Sequence, residues 1–381
     1  MRVEKFLQSK PLYYEKIDYD RFPNIYKKIK NNFKLPKIVH VVGTNAKGTT
    51  GRALAHMLHV NGLNVGHYSS PHITKFNERI WINGKDIDDK LLEITHKKLQ
   101  ILLSLEDKNI LSYFEYTTLL AMLIFCQKCD YVVLEAGLGG EFDATNVFEK
   151  QLCIVTPIGF DHEAFLGSTI EKIATTKLRS VNEKLLLAKQ YEKEVYKLAY
   201  ERIKTIDKNL YFAQSFLDNN VYNELNTWFE DKNYPFFFKD NFTTALCAYQ
   251  LLGYEVDVNL LDNLKLYGRC QKISSNVTID VGHNPMAAVA LLKHFRKKKV
   301  ILVYNSLNDK KYKIILEILK PIIKEVQIFD IENKRKVLKK VLENTLSSLN
   351  IPYSTFKKIT KDEEYLVFGS FSVVENYINE K

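Results

Sequence analysis

The stretch IVHVVGTNAKGTT, residues 38–50, decides the fold class predicted for this chain. Its first five residues, Ile38 to Val42, form a largely β-branched run that predicts a buried strand. Small residues follow at 43, 46 and 48, and apolar residues then recur at helical spacing until Asn61-Gly62 ends the pattern. A strand, a glycine-rich loop and a helix in this order are typical of an α/β sheet.

The loop, Gly43-Thr44-Asn45-Ala46-Lys47-Gly48-Thr49-Thr50, carries the groups that a phosphate needs. These are backbone N–H groups that a ligand can approach, a cation and a helix N-terminus. Lys47 supplies the cation, and the hydroxyl of Thr49 is a ligand suited to Mg²⁺. The spacing departs from the standard G-x-x-x-x-G-K-[ST] motif, because Lys47 lies four residues after Gly43. Phosphate binding is the interpretation we favour, and the alternative is a glycine-rich turn with an exposed lysine.

Outward from the loop, strand and helix patterns alternate. Further strands are predicted at 64–68, 130–135, 152–156 and 184–188, and helices at 117–125 and 241–252. The segment 191–239 is aromatic and weakly patterned, so a helical excursion and a small β-rich flap both stay open.

From Val277 the alternation restarts. Strands are predicted at 277–281, 300–303, 325–329 and 366–369, and helices at 286–296, 310–319, 336–349 and 371–379. The pattern predicts two α/β domains with mostly parallel sheets, residues 1–268 and a smaller one of residues 269–381.

Two more clusters follow predicted strands. Glu135 ends one strand and precedes the glycine-rich run 136–146, and Asp161-His162 follow the strand at 152–156. Ligands collect at the carboxyl edge of a parallel sheet, and we expect Glu135 on a strand neighbouring 152–156, so metal binding by Glu135 and His162 is predicted. On its own chemistry, Lys177 is interpreted as a solvated lysine on a helix.

The bulk composition fits a globular protein, with 46% hydrophobic and 26% charged residues. The net charge of +10 comes from scattered basic residues, so we favour compositional bias over a nucleic-acid partner. Cys126 and Cys129 form a C-x-x-C motif without further metal ligands nearby, and reduced thiols are expected. The first ten residues have no apolar core of a secretory signal. A cytoplasmic protein without a membrane partner is expected.

Several motifs together carry a resemblance to a known family. They are GTNAKGTT at 43–50, SSPH at 69–72, FNERI at 76–80, FEYT at 114–117, LEAGLGGEFDATNV at 134–147, DH at 161–162, YGR at 267–269, DVGHNP at 280–285 and FGS at 368–370. In this order they resemble the folylpolyglutamate synthase/dihydrofolate synthase family of the Mur ligase superfamily. The match runs from about Leu35 to the C-terminus.

The resemblance implies a Mur-ligase-like nucleotide-binding domain with a P-loop, followed by a Rossmann-like C-terminal domain. It implies an ATP-dependent ligase that phosphorylates the carboxylate of dihydropteroate or of a reduced folate, and then joins L-glutamate to it. Both activities are expected in one enzyme, acting as a monomer. Two Mg²⁺ ions are expected, and K⁺ is a further candidate ion.

By position, the resemblance also implies residue roles. The implied magnesium ligands are Thr49, Ser70, Glu135, His162 and Lys177 in carbamylated form, and Lys47, Glu135, His162 and Lys177 are the implied catalytic residues. Outside the loop, Asn241, Arg269, Asp280 and His283 are implied to bind ATP. The folate side is implied to contact Arg79, Phe114, Glu115, Asp143 and Ala144.

The chain departs from the family pattern at four places. Ala46 replaces a usual glycine, and alanine fits only with a negative φ or with strain. Lys177 lies in a T-K-L-R context rather than E-K-A-G, Glu141 stands where a basic residue is usual, and Lys311 replaces an acidic residue. We expect nucleotide affinity to differ at Ala46, and recognition of the pteridine or of the glutamate tail to differ at Glu141.

Two alternative functions remain. A muramyl-peptide ligase shares this chemistry, but such enzymes place a domain ahead of the loop, where only 42 residues precede Gly43. A non-catalytic nucleotide-binding or nucleic-acid-binding protein would leave Glu135, His162 and the 280–285 motif without a role.

Overall fold

The computed structural model describes residues 2–11, 18–232 and 234–380. The chain forms two compact units. The first comprises Met1–Pro71, Phe76–Trp228 and Asp240–Leu264, and the second comprises His72–Lys75, Phe229–Lys239 and Lys265–Lys381. The predicted roles of residues 1–268 as the ATP-binding domain and of residues 269–381 as the ligase domain stay predictions.

In the described part of the chain, the first unit contains an eight-stranded sheet. Its strands are β1 (Lys37–Val42), β2 (Val65–Tyr68), β3 (Ile80–Ile82), β4 (Lys85–Asp86), β5 (Tyr131–Glu135), β6 (Leu152–Val155), β7 (Lys184–Leu187) and β8 (Leu210–Phe212). They lie in the order β4-β3-β2-β5-β1-β6-β7-β8. The six strands from β2 to β8 in this order are parallel, and β3 and β4 form an antiparallel edge.

Helices alternate with these strands along the chain. They are α1 (Val3–Gln8), α2 (Arg21–Ile29), α3 (Lys47–Val60), α4 (Asp89–Leu102), α5 (Leu105–Ile110), α6 (Tyr113–Lys128), α7 (Glu163–Leu166), α8 (Ile170–Leu178), α9 (Lys193–Ile206), α10 (Asn219–Lys232) and α11 (Lys239–Leu251). Helix α6 is buried continuously from Tyr116 to Phe125, as its nearly unbroken apolar sequence requires.

The register of the central strands fixes which side chains share the carboxyl edge of the sheet. Val41 of β1 lies opposite Glu135 of β5, and Val42 of β1 lies opposite Val155 of β6. The loops that follow these three strands therefore begin side by side. The expectation that Glu135 lies on a strand neighbouring 152–156 is wrong, because β1 is inserted between β5 and β6.

The second unit is a smaller α/β layer. Its strands are β9 (Gln271–Ser274), β10 (Val277–Asp280), β11 (Val300–Tyr304), β12 (Ile323–Ile328), β13 (Tyr353–Thr355) and β14 (Tyr365–Phe368), in the order β13-β12-β11-β14-β10-β9. Only β9 among these strands pairs antiparallel. The helices after 270 are α12 (Pro285–Phe295), α13 (Tyr312–Leu319), α14 (Lys339–Ser348) and α15 (Phe371–Asn379).

The two mostly parallel sheets confirm the predicted fold class. The open segment 191–239 is largely helical, with α9 and α10 on either side of the short edge strand β8; Asn233 lies outside the described residues. Among the helices that the structure describes, none has the length and apolar character needed to cross a bilayer.

Candidate functional site

The loop between β1 and α3 is held tightly against the segment that follows β6. The backbone N–H groups of Thr44 and Asn45 both donate to the carbonyl oxygen of Pro157, at 3.0 and 3.1 Å. The Thr44 hydroxyl donates to the carbonyl of Gly159 and accepts from the Gly159 N–H. The loop conformation is therefore set by contacts across the sheet edge as well as by its own sequence.

Glycine is required at position 43. Its φ is +151°, and a Cβ there would lie 2.0 Å from the Thr156 hydroxyl oxygen. That hydroxyl donates to the carbonyl of Val42 at 3.1 Å, so it cannot move away cheaply. Thr156 was not singled out from the sequence; its position directly after a buried strand was the available signal.

Ala46 adopts the strained alternative considered from the sequence. Its φ is +67°, in the left-handed region that favours glycine, and it precedes the first residue of α3. The first turn of α3 contains Lys47, Gly48, Thr49 and Thr50 and no acidic residue. Its backbone N–H groups and the positive end of the helix dipole are suited to an anion.

Lys47 folds back over this loop. Its Nζ donates to the carbonyl oxygens of Gly43 at 3.2 Å and Thr44 at 3.3 Å, and lies 4.0 Å from Oε1 of Glu135. Glu135 is 4% exposed at the end of β5. A cation, a buried carboxylate and a helix N-terminus thus meet at one edge of the sheet.

Lys177 is buried, and its interpretation as a solvated lysine is wrong. The last turn of α8 packs against the glycine-rich loop, where a Cβ at Gly140 would lie 3.0 Å from the Lys177 carbonyl oxygen. Lys177 Nζ donates to the carbonyl oxygens of Gly43 at 2.9 Å and Gly139 at 3.5 Å. Burial, reinforced by the charge of Lys47, lowers the pKa of Lys177 to about 7.

Asp161 and His162 follow β6 at the same edge. His162 has φ +53° and is the residue before α7, and its backbone N–H donates to Oδ1 of Asp161 at 2.9 Å. Its Nε2 lies 3.9 Å from Oδ2 of Asp161. Ser70, which follows β2, forms a cis peptide bond with Pro71.

The predicted metal ligands are hydroxyls, one carboxylate, one imidazole and a modified lysine. Within the described residues, no group of three or more His, Cys, Asp or Glu side chains could hold a metal ion. The hydroxyls of Thr49 and Ser70 and the carboxylate of Glu135 are oxygen donors of the kind that Mg²⁺ prefers, and their role as metal ligands stays a prediction.

Of the residues predicted to contact the folate side, Phe114 and Glu115 lie on α6, and Asp143 and Ala144 lie in the segment after β5. Arg79 ends the 3₁₀ helix Phe76–Arg79, just before β3. The Phe114 ring occupies the space next to Gly137, where a Cβ would be 2.6 Å from the ring. Asp143 is buried and caps the 3₁₀ helix Ala144–Val147 by accepting from the Thr145 N–H. The Arg79 guanidinium lies 5.2 Å from the centre of the Tyr113 ring.

Glu115 has evident structural contacts. Its carboxylate accepts from the Ser112 N–H in a capping box at the start of α6, and both of its oxygens bind Arg21 at 2.8 and 3.0 Å. The capping box and the ion pair with Arg21 stabilise the start of α6, the helix that carries Phe114.

The second unit contains its own cluster around the start of α12. Both oxygens of Asp280 accept backbone N–H groups, from Cys270 at 2.8 Å and Gly282 at 2.7 Å. Burial raises the pKa of Asp280, and the charge of Arg269 opposes this shift. Arg269 lies 5.3 Å from the centre of the Phe371 ring, and His283 Nδ1 lies 3.1 Å from the Val281 carbonyl oxygen. Asn241, by contrast, lies in α11 of the first unit.

Comparison with models of protein families finds no match. The dihydrofolate synthase/folylpolyglutamate synthase of Haemophilus influenzae is 30% identical over 411 residues, covering 94% of this chain and 92% of that protein. The crystal structure of Helicobacter pylori folylpolyglutamate synthetase is 37% identical with a TM-score of 0.79, covering 100% of this chain and 98% of that one. Escherichia coli FolC in complex with DHPP and ADP is 25% identical with a TM-score of 0.81, covering 99% and 96%.

Similarity of this degree over nearly the whole of both chains confirms the predicted ATP-dependent ligase class, and the chain belongs to the dihydrofolate synthase/folylpolyglutamate synthase family.

Proposed function

We propose that the chain joins L-glutamate to dihydropteroate, and also extends the glutamate tail of reduced folates, at the expense of ATP. The observation that carries the proposal is the convergence of Lys47, Glu135 and Lys177 on the loop before α3, in a member of this family.

The reaction has two steps. An oxygen of the acceptor carboxylate attacks the γ-phosphorus of ATP, and the bond from that phosphorus to the leaving ADP oxygen breaks, giving an acyl phosphate. The glutamate amine then attacks the acyl carbon, loses a proton and expels phosphate. Charge on the transferred phosphoryl group must be stabilised, and the N–H groups of the first turn of α3 with Lys47 are the groups of this chain suited to do so.

Mg²⁺ fits the donor set at this edge. Thr49, Ser70, Glu135 and His162 are the residues that would hold it, and bound Mg²⁺ would neutralise phosphate charge. Glu135 is suited to this role because its carboxylate, an oxygen donor of the kind that hard cations prefer, lies at the carboxyl end of β5, beside the loop before α3. K⁺ stays a further candidate ion on the family resemblance alone.

Carbamylation of Lys177 is part of the proposal. Only a neutral amine adds to carbon dioxide, and a lysine with a pKa of about 7 is partly neutral at physiological pH. The carbamate would turn a buried cation into a carboxylate-like ligand, which would relieve the repulsion between Lys177 and Lys47.

The remaining predicted residues have proposed binding roles. Asn241, Arg269, Asp280 and His283 are proposed to contact ATP, and Arg79, Phe114, Glu115, Asp143 and Ala144 to contact the acceptor. Among these, the ring of Phe114, whose tip packs against Gly137, is the group best suited to contact a flat aromatic ring.

We also propose a monomeric, cytoplasmic enzyme. All five cysteines are free thiols, which supports a reducing compartment. Light scattering during gel filtration measures the mass of the particle, and a stable dimer would contradict the monomer.

A product assay tests the function. Purified protein receives ATP, Mg²⁺ and labelled glutamate, with dihydropteroate in one reaction and tetrahydrofolate in the other. We expect label in both acceptors, and label in neither would refute the proposal.

Glu135→Gln should incorporate almost no label while its thermal unfolding stays close to that of the parent, and near-normal turnover would remove Glu135 from the metal site.

A further inference from the structure

A buried chain of polar side chains runs from β1 to the loop after β5. His40 Nε2 lies 2.8 Å from the Thr145 hydroxyl oxygen, and this oxygen lies 2.5 Å from Oδ1 of Asp143. All three residues are buried, with His40 and Thr145 completely inaccessible. His40 and Thr145 are 105 residues apart in the sequence, so it is the fold and not a local turn that brings them together.

The direction of the hydrogen bonds follows from the chemistry of the groups. Asp143 Oδ1 also accepts from the Thr145 backbone N–H at 3.0 Å, which leaves it the acceptor in both contacts with Thr145. Burial raises the pKa of Asp143, and the hydrogen bonds from Leu138 and Thr145 favour the ionised form and oppose this shift. The Thr145 hydroxyl therefore donates its one proton to Asp143, and its oxygen accepts from His40 Nε2–H. His40 Nδ1 has no hydrogen-bond partner among the described residues, which fits a neutral ring protonated on Nε2.

At its other end, the hydrogen-bond network reaches the residues proposed to bind the acceptor substrate. Oδ2 of Asp143 accepts from the Leu138 N–H at 2.8 Å, which fixes the glycine-rich loop. The neighbouring Gly137 leaves no room between its backbone and the Phe114 ring. Asp143 also caps the 3₁₀ helix that begins at Ala144. One carboxylate thus sets the position of both the loop and Ala144 relative to Phe114.

A merely space-filling role would not need these side chains. An imidazole, a hydroxyl and a carboxylate lose solvation when buried, and apolar residues of similar volume would fill the same space at lower cost. A fully connected buried network gives directional rigidity instead.

We infer that His40 and Thr145 are positioning residues that fix Asp143, and through it the wall formed by Phe114, Gly137 and Ala144, for the acceptor substrate. The inference rests on the proposed function, because it assigns the acceptor to that wall. ATP binding draws on the loop at Gly43–Thr50 and on Lys47, which Asp143 does not contact through any of these hydrogen bonds.

The test measures KM for dihydropteroate, KM for ATP and kcat in matched pairs of variants. Thr145→Val removes the hydroxyl at nearly constant volume, and Thr145→Ser retains it. His40→Leu removes the donor, and His40→Gln retains an N–H donor. Thr145→Val should raise the acceptor KM about tenfold, the loss expected for a hydrogen bond to a charged group, with the ATP KM changed less than about twofold. Thr145→Ser and His40→Gln should restore most of the acceptor affinity.

The double variant His40→Leu/Thr145→Val tests whether His40 and Thr145 act through one connected hydrogen-bond network or independently of each other. It should have an acceptor KM close to that of Thr145→Val alone, since both changes break the same connection. Equal changes in both KM values, or no rescue by serine, would overturn the inference. If Thr145→Val does not fold, the His40→Leu and His40→Gln pair carries the same comparison. Absence of ligation by the unmodified protein would instead refute the proposed function itself.

Discussion

At the scale of single residues, the loop before α3 contains one strained residue. Ala46 has φ +67° and ψ −3°, where its Cβ crowds the backbone and a glycine would not. The sequence had left two conformations open for this alanine. In the folded protein the preceding residues Thr44 and Asn45 donate to the carbonyl oxygen of Pro157, which lies just after β6 and more than 100 residues later in the sequence.

Ala46→Gly should therefore raise the free energy of unfolding by about 0.5 kcal/mol, the left-handed penalty of alanine less the backbone entropy that glycine loses. It should also tighten ATP binding. Ala53→Gly, in the middle of α3, is the control and should cost at least about 1 kcal/mol, since the lost burial of its methyl group adds to the lower helix propensity of glycine. Chemical denaturation measures both, and a destabilised Ala46→Gly protein would show that the loop is not strained at this residue.

Lys177 gives a pH-dependent prediction that needs no activity measurement. Its pKa is about 7 in the folded protein and 10.5 in the unfolded chain, so between these values the unfolded chain binds the extra proton. The free energy of unfolding should therefore rise with pH across this window. Lys177→Met should lower that slope by at most about 1.4 kcal/mol per pH unit, in buffer free of carbon dioxide and metal.

Lys172→Met is the control for this measurement, because Lys172 is an exposed residue of the same helix. Its slope should match that of the parent between pH 7 and 10. Identical slopes for Lys177→Met and the parent would mean that Lys177 is protonated inside the folded protein, and would remove the support for its carbamylation.

At the scale of helices and strands, prediction worked where burial dictates the pattern. The strands β1, β5, β10 and β14 are buried at nearly every position, and their apolar runs were legible. The short strands β3, β4, β8, β9 and β13 were not predicted. The last four have no fully buried residue, and β3 is only three residues long, too short to show a hydrophobic period. Their pairing depends on the neighbouring strand rather than on their own residues.

The start of α6 offers a test of a single element. Ser112 accepts from the Glu115 N–H, and Glu115 accepts from the Ser112 N–H, so each caps the other. Ser112→Ala should lower the free energy of unfolding by about 1 kcal/mol, and Ser112→Thr, which keeps the hydroxyl, by much less. Equal stability of the alanine and threonine variants in thermal unfolding would contradict the capping role.

At the scale of the whole molecule, the charge is divided unevenly between the two parts of the sequence. Residues 1–264 contain 33 basic and 33 acidic residues, and residues 265–381 contain 22 basic and 12 acidic ones. The entire excess of +10 thus belongs to the C-terminal part. A positive field of this kind attracts polyanions and weakens with salt.

An acceptor with several glutamates should consequently lose kcat/KM more steeply with salt than one with a single glutamate, between about 0.05 and about 0.5 M NaCl. Lys297→Glu/Lys298→Glu should flatten this dependence. Lys97→Glu/Lys98→Glu makes the same charge change on exposed residues of α4 and should flatten it less. Equal effects of the two pairs would attribute the salt dependence to net charge alone.

The central claim is that this protein activates the acceptor carboxylate as an acyl phosphate and then joins the acyl group to the amine of glutamate. Dihydropteroate enriched with oxygen-18 in its carboxylate tests it most directly, with mass spectrometry of the released phosphate. We predict one oxygen-18 atom in the phosphate for each glutamate joined, together with ADP. Unlabelled phosphate, or release of AMP and pyrophosphate, would contradict the account.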